Sequence, residues 1–161
     1  MFASRILMMQ YFQLFSGDYP RNMRGNSFQT ILEKFSKIQS ALSINKDLSE
    51  GDFEQIWSNL KATGIGLSTL SKFLYFFEFS IAGHQCLILD SRIIDVINDE
   101  NGFEELIILT LNAKINEFNK VKKYVSYLKL MENISTKNSY KPDQLELFLF
   151  ALGKNLKPAI K

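Results

Sequence analysis

Long apolar side chains return every three or four residues through most of this chain, and little interrupts them: among 161 residues there are only 3 Pro and 8 Gly, against 14 Phe, 6 Tyr and 1 Trp. A turn-dense β fold needs Pro and Gly, whereas long aliphatic and aromatic side chains without them favour helices. The chain therefore reads as all-α, a compact multi-helix domain over residues 1–161. A domain of this length removes roughly 70% of its unfolded surface from water. Its 46% hydrophobic and 22% charged residues exclude disorder and low-complexity sequence.

The periodicity marks the elements. Phe28, Ile31, Leu32, Phe35, Ile38 and Leu42 predict an amphipathic helix over residues 27–41. Ser49 precedes a second, with Phe53, Ile56, Trp57 and Leu60 on one face and Glu50 and Asp52 at the amino end, where the helix dipole favours negative charge. A tight turn at about 63–67 leads to a third helix over 67–79, built on Leu67, Leu70, Leu74 and Phe77. The apolar run Cys86-Leu87-Ile88-Leu89 reads as buried and extended, with a helix after Asp90-Ser91-Arg92. Residues 103–111, 115–133 and 142–152 supply three more helices, the last opening on a Pro suited to a first turn. A frayed tail is expected over about 154–161.

One Cys and one His cannot supply a disulfide, nor a zinc site of three or four Cys and His ligands, so no metal and no cofactor is expected. No apolar run reaches the roughly 18 residues of a membrane span, and no signal-peptide pattern opens the chain. A cytoplasmic location and no membrane partner are the expectation. The net charge is only +2, but residues 1–113 carry 9 basic against 13 acidic side chains and residues 114–161 carry 10 against 4. The carboxy-terminal third thus has the charge to face a polyanion, or it presents a solvated lysine-rich helix face.

Two features go beyond fold grammar. The first is Gly64-Ile65-Gly66 between two helices, where glycine lets the backbone reach positive φ and lets a phosphate approach amide N–H groups at a helix amino end. Any tight turn between helices also uses glycine. The second is a carboxylate, Asp90, at the end of a buried run and the start of a helix. As an N-cap it has a purely structural role worth about 1 kcal/mol.

Together, Gly64-Ile65-Gly66-Leu67-Ser68-Thr69-Leu70-Ser71-Lys72-Phe73-Leu74-Tyr75-Phe76 and Leu87-Ile88-Leu89-Asp90-Ser91-Arg92 resemble the helix-hairpin-helix DNA glycosylase superfamily, and Pro142-Asp143-Gln144-Leu145-Glu146-Leu147-Phe148-Leu149-Phe150 resembles one group within it. Within it the chain is most similar to small bacterial 8-oxoguanine DNA glycosylase-like proteins. The likeness covers roughly residues 50 to 153. It implies a helix-hairpin-helix motif, double-stranded DNA as partner, and excision of a damaged or modified base such as 8-oxoguanine, with or without strand nicking at the resulting abasic site. The alternative is a non-catalytic helix-hairpin-helix module that binds DNA or a protein.

The resemblance also implies roles. Asp90 would stabilise the oxocarbenium character that develops at the sugar when the glycosidic bond breaks. Gly64, Ile65, Gly66 and Ser68 would lie against a DNA phosphate, and Arg92 would bind a phosphate or point into water. In members that nick the strand a lysine follows the hairpin directly, a position held here by Ser68. Lys72 lies one helical turn further on and is the candidate amine, or a solvated charge. His84 and Gln85 are expected in a polar loop. Phe73, Phe76, Phe77 and Phe79 offer a stacking surface or core, and Lys120, Lys122 and Lys123 backbone contacts or a solvated face.

Overall fold

The computed structural model describes Glu33, Ser36, Lys37, Ser40, Leu42 and residues 45–61, 65–99, 103–110, 113–116 and 119–155. Most of the helix expected over 27–41 lies outside the described residues, although Glu33, Ser36, Lys37 and Ser40 are helical. Gly64 also lies outside them.

The described part is mostly helical, but it is not all-α. Asp47–Leu48 (β1), Ser80–Ile81 (β2) and His84–Gln85 (β3) form a three-stranded sheet. β1 runs parallel to β2, pairing Asp47 with Ser80 and Leu48 with Ile81; β2 runs antiparallel to β3, pairing Ser80 with Gln85 and Ile81 with His84. Each strand has two residues, too few for an alternation of polar and apolar side chains to stand out. The β2–β3 turn places both Ala82 and Gly83 at positive φ, 51° and 80°, as a two-residue hairpin turn twisted to match its strands requires. Asp47 fastens the corner: its Oδ1 accepts the Ser80 hydroxyl at 2.6 Å and the Gly83 N–H at 3.2 Å. His84 and Gln85 therefore lie in a strand rather than a loop, and the His84 imidazole pairs with Glu132.

Helix α1, Glu50–Lys61, begins at Ser49, whose Oγ accepts the Asp52 N–H while Asp52 Oδ2 accepts the Ser49 N–H, both at 3.1 Å. This reciprocal pair satisfies donors that a helix start leaves open. Helix α2, Leu67–Phe76, buries Leu67, Leu70, Phe73 and Leu74. It stops short of the expected Phe79 because the Phe79 N–H turns back to the Leu74 carbonyl and Glu78 takes φ +59°, a left-handed closure. Helix α3 is Ser91–Ile97.

The segment expected to be helical over 103–111 is a 3-10 helix, Glu104–Leu109. Helix α4, Lys120–Lys137, starts later than expected. The Asn98 side chain holds the backbone of Ile115 by both its N–H and its carbonyl, and Asn116 and Asn119 bond one another, so a loop competes there with the helix. Helix α5, Pro142–Leu152, has the expected bounds, with Pro in its first turn and the Gln144 side chain accepting the Lys141 N–H at 2.9 Å. Beyond it, Lys154 pairs with Asp95 at 2.6 Å, and residues 156–161 lie outside the described set.

The five helices share the core. Phe53 and Leu60 of α1, Leu70 and Leu74 of α2, Ile93 of α3, Leu149 of α5, and Tyr124, Tyr127, Leu128 and Met131 of α4 are each at most 2% exposed. Cys86, Leu87 and Leu89 are wholly buried among them.

Candidate active site

The run 86–89 lies outside the sheet and the helices; Cys86, Leu87 and Leu89 are buried and Ile88 is half-buried. Buried backbone N–H and carbonyl groups must still be paired, and here helical side chains pair them. The Leu87 carbonyl accepts the Tyr124 hydroxyl at 2.6 Å and the Ile88 carbonyl accepts the Tyr127 hydroxyl at 3.3 Å, both from α4. The Ile88 N–H donates to Glu146 Oε2 of α5 at 2.7 Å, and the Leu89 N–H donates to Ser71 Oγ of α2 at 3.1 Å. Three helices thus grip the two residues before Asp90.

Asp90 is the N-cap of α3. Its Oδ1 accepts the N–H groups of Arg92 and Ile93, each at 3.0 Å. Its other carboxyl oxygen takes no hydrogen bond among the described residues. The side chain is half-buried.

A cluster of acidic and phenolic groups surrounds this point. Burial pushes the Glu146 carboxyl up to about 8, against the pull of the Ile88 N–H and with the charges of Asp90 and Asp143 adding to the rise. Burial, with Asp143 and Glu146 adding, also raises the Tyr75 hydroxyl of α2, and burial with Glu146 and Asp90 raises that of Tyr127. Asp143 has a buried carboxylate oxygen, Oδ1, without a hydrogen-bond partner among the described residues. Cys86 is a buried thiol pushed up to about 12, mainly by desolvation, so it is no nucleophile at neutral pH.

The other predicted residues are dispersed around this centre. Lys72 is half-buried on α2, next to Ser71, and forms no ion pair among the described residues. Ser68, one turn earlier, is also half-buried, and its carbonyl accepts the Ser71 hydroxyl at 3.2 Å. The exposed Arg92 lays its guanidinium 4.9 Å from the centre of the Phe150 ring of α5. Ile65 is 2% exposed and belongs to the core, leaving its backbone as what the turn can offer a ligand. Gly66 caps α2 in an extended conformation, φ −81° and ψ 162°. Positive φ is therefore not its reason for being glycine, and a Cβ there would meet nothing within 4 Å.

Phe73 and Phe79 are core, while Phe76 and Phe77 are each 39% exposed. Of the three lysines on α4, Lys123 donates to the Leu109 carbonyl at 2.6 Å and Lys120 lies 6.0 Å from the Trp57 ring centre. Lys122 is exposed. Among the described residues no group of three His, Cys, Asp or Glu side chains could hold a metal ion, and no helix is long and apolar enough to cross a membrane.

The sequence assigned no role to Ser71 or Glu146, although both lie in the segments that carry the resemblance, and did not single out Tyr124 or Tyr127. The available signals were one carboxylate within the apolar stretch Leu145 to Leu149 and two tyrosines three apart on the face that carries Leu128 and Met131. No curated protein and no solved structure matches the sequence. The family described as "Putative 8-oxoguanine DNA glycosylase OGG-like protein" does match, over residues 14–150, which takes in the described elements up to all but the last two residues of α5. On that match the chain belongs to the OGG-like 8-oxoguanine DNA glycosylase family.

Proposed function

We propose that this protein is a DNA glycosylase that removes a damaged base, with 8-oxoguanine the first candidate, from double-stranded DNA by way of a helix-hairpin-helix motif formed by α1, the turn before Gly66, and α2. The observation that carries this reading is the Asp90 carboxylate, fixed through Oδ1 by two N–H bonds and with no hydrogen bond to its other oxygen among the described residues, in a chain whose family match spans residues 14–150.

A base stacked in a duplex cannot be reached, so the nucleotide must first be extruded. The bond between the sugar C1′ and the base nitrogen then breaks, its electron pair leaves with the base, and a nucleophile bonds to C1′. Cationic character at C1′ is lowered in energy by a carboxylate held in place beforehand. Asp90 supplies it. The nucleophile is water or the Lys72 amine; with the amine, an imine forms and elimination nicks the strand. The first turn of α2 has no side-chain cap at Gly66, which leaves amide N–H groups for a phosphate. Ser68 lies in this first turn, and Arg92, in the first turn of α3, would supply a further phosphate contact.

A second reading, a DNA-binding module without chemistry, is favoured by Ser68 in the position where strand-nicking relatives carry lysine. One assay separates the two. Labelled duplexes carrying single lesions are incubated with the protein and half of each sample is treated with alkali. Alkali-dependent cleavage supports the glycosylase, cleavage without alkali adds lyase action, and gel retardation with intact DNA supports the module.

A further inference from the structure

Glu146 is 8% exposed, and its one hydrogen bond among the described residues comes from the Ile88 N–H. Acidic side chains are seldom buried unless a cation pairs with them. The charged and titratable groups facing Glu146 are instead Asp143 on its own helix, Asp90 on the 86–90 segment, Tyr75 on α2, and Tyr124 and Tyr127 on α4. Cys86 in turn faces Tyr124. Packing alone does not call for an acid here. What Glu146 does is hold the amide two residues before Asp90.

We infer that Glu146 is a positioning residue for Asp90: in its neutral form it clamps the Ile88 amide and so fixes the Asp90 carboxylate, and loss of its proton loosens that arrangement and slows the reaction. This inference rests on the reading of Asp90 as the catalytic carboxylate. The bond to Ile88 survives ionisation, since a carboxylate accepts an N–H at least as well as a carboxyl group. The new charge, however, has no cation beside it among the described residues and little exposure to water, and two acidic neighbours oppose it. A charge so placed is relieved by local opening that admits solvent. Displacing a catalytic group by about 1 Å can cost on the order of a hundredfold in rate.

The test reads backbone amides first and activity second, on the full chain. In the wild type, the Ile88 amide shift should titrate near pH 8, and the Arg92 and Ile93 amides, bonded to Asp90 Oδ1, should follow with the same midpoint. In Glu146→Gln, which keeps an acceptor for Ile88 but cannot ionise, none of the three should move. Single-turnover base release by the wild type should fall about tenfold between pH 7 and pH 9, tracking the neutral fraction of a group titrating near 8, while Glu146→Gln stays level.

A wild type in which Ile88 alone titrates, or no amide does, overturns the inference, as does an equal alkaline fall in Glu146→Gln. The wild-type titration decides even if the variant does not fold. Asp90→Asn run alongside keeps the two claims apart: excision by that variant removes the reading of Asp90. An inactive Asp90→Asn together with a wild-type pH profile in Glu146→Gln removes this inference alone.

Discussion

Glu146 accepts the backbone N–H of Ile88 at 2.7 Å, so the last helix of the chain reaches back to the segment that presents Asp90. Tyr124, Tyr127 and Ser71 complete the grip. A strand inside a sheet would have its backbone paired by neighbours of the same kind. Here the pairing depends on single side chains from separate helices, which makes each one testable.

Tyr124→Phe removes the partner of the buried Leu87 carbonyl, and Ser71→Ala removes that of the Leu89 N–H. Each orphaned group should cost about 1–3 kcal/mol of unfolding free energy. Urea denaturation monitored by circular dichroism checks this, and a change confined to a few tenths would show that water replaces the lost partner.

The sequence carried the helical periodicity well. The bounds of α5 follow from Pro142 and Gly153, and the start of α1 from Ser49 and Asp52. The sheet was not legible, because two-residue strands carry no pattern and β1 meets β2 across more than thirty residues of chain. Asp90 stood out because it ends an apolar run. Glu146, Tyr124 and Tyr127 did not, because a tyrosine or a lone acid on an apolar helix face is ordinary until the fold shows which buried carbonyl or amide it meets. Of the two uses of glycine the sequence suggests for this turn, positive φ and close approach of a phosphate, Gly66 does not show the first, since its conformation is open to any residue.

A different glycine is constrained by contact. A Cβ on Gly153 would lie 2.5 Å from the Leu149 carbonyl oxygen and 2.9 Å from both methyl carbons of Val96. Gly153→Ala must push α3 and α5 apart, and overpacking of this kind costs about 1–3 kcal/mol. For a domain of this size the melting temperature should drop by about 2–4 °C for each kcal/mol. An unchanged or higher melting temperature would show that the junction relaxes freely.

Glu146 should also set how stability depends on pH. Its carboxyl sits at about 8 in the folded chain against an ordinary value of 4.5, so the fold favours the protonated form. That contribution is fully present below about 4.5 and is lost as pH rises through about 8. Relative to Glu146→Gln, the wild type should therefore lose a few kcal/mol of unfolding free energy between about pH 5 and pH 9. Parallel denaturation curves for the two proteins at both pH values measure the difference. A constant gap would mean that the group does not titrate in this range.

Lys72 decides between water and an amine as nucleophile. If the amine attacks, borohydride added during turnover reduces the imine to a stable amine and traps a protein–DNA adduct. Lys72→Gln should then lose the adduct and strand nicking together. If Lys72 is a solvated charge, no adduct will depend on it, and the variant will lose only the salt-sensitive affinity of one cation.

The central claim is that the Asp90 carboxylate performs chemistry beyond capping α3. Asn caps helices as well as Asp does, so Asp90→Asn should keep the fold and DNA affinity while removing the charge. The measurement is single-turnover release of 8-oxoguanine from a labelled duplex, developed with alkali, for wild type and Asp90→Asn side by side. The account predicts release by the wild type and a loss of about a hundredfold or more in the variant, the scale on which removing one preorganised electrostatic group slows an enzyme. A folded Asp90→Asn that releases the base at the wild-type rate would contradict it.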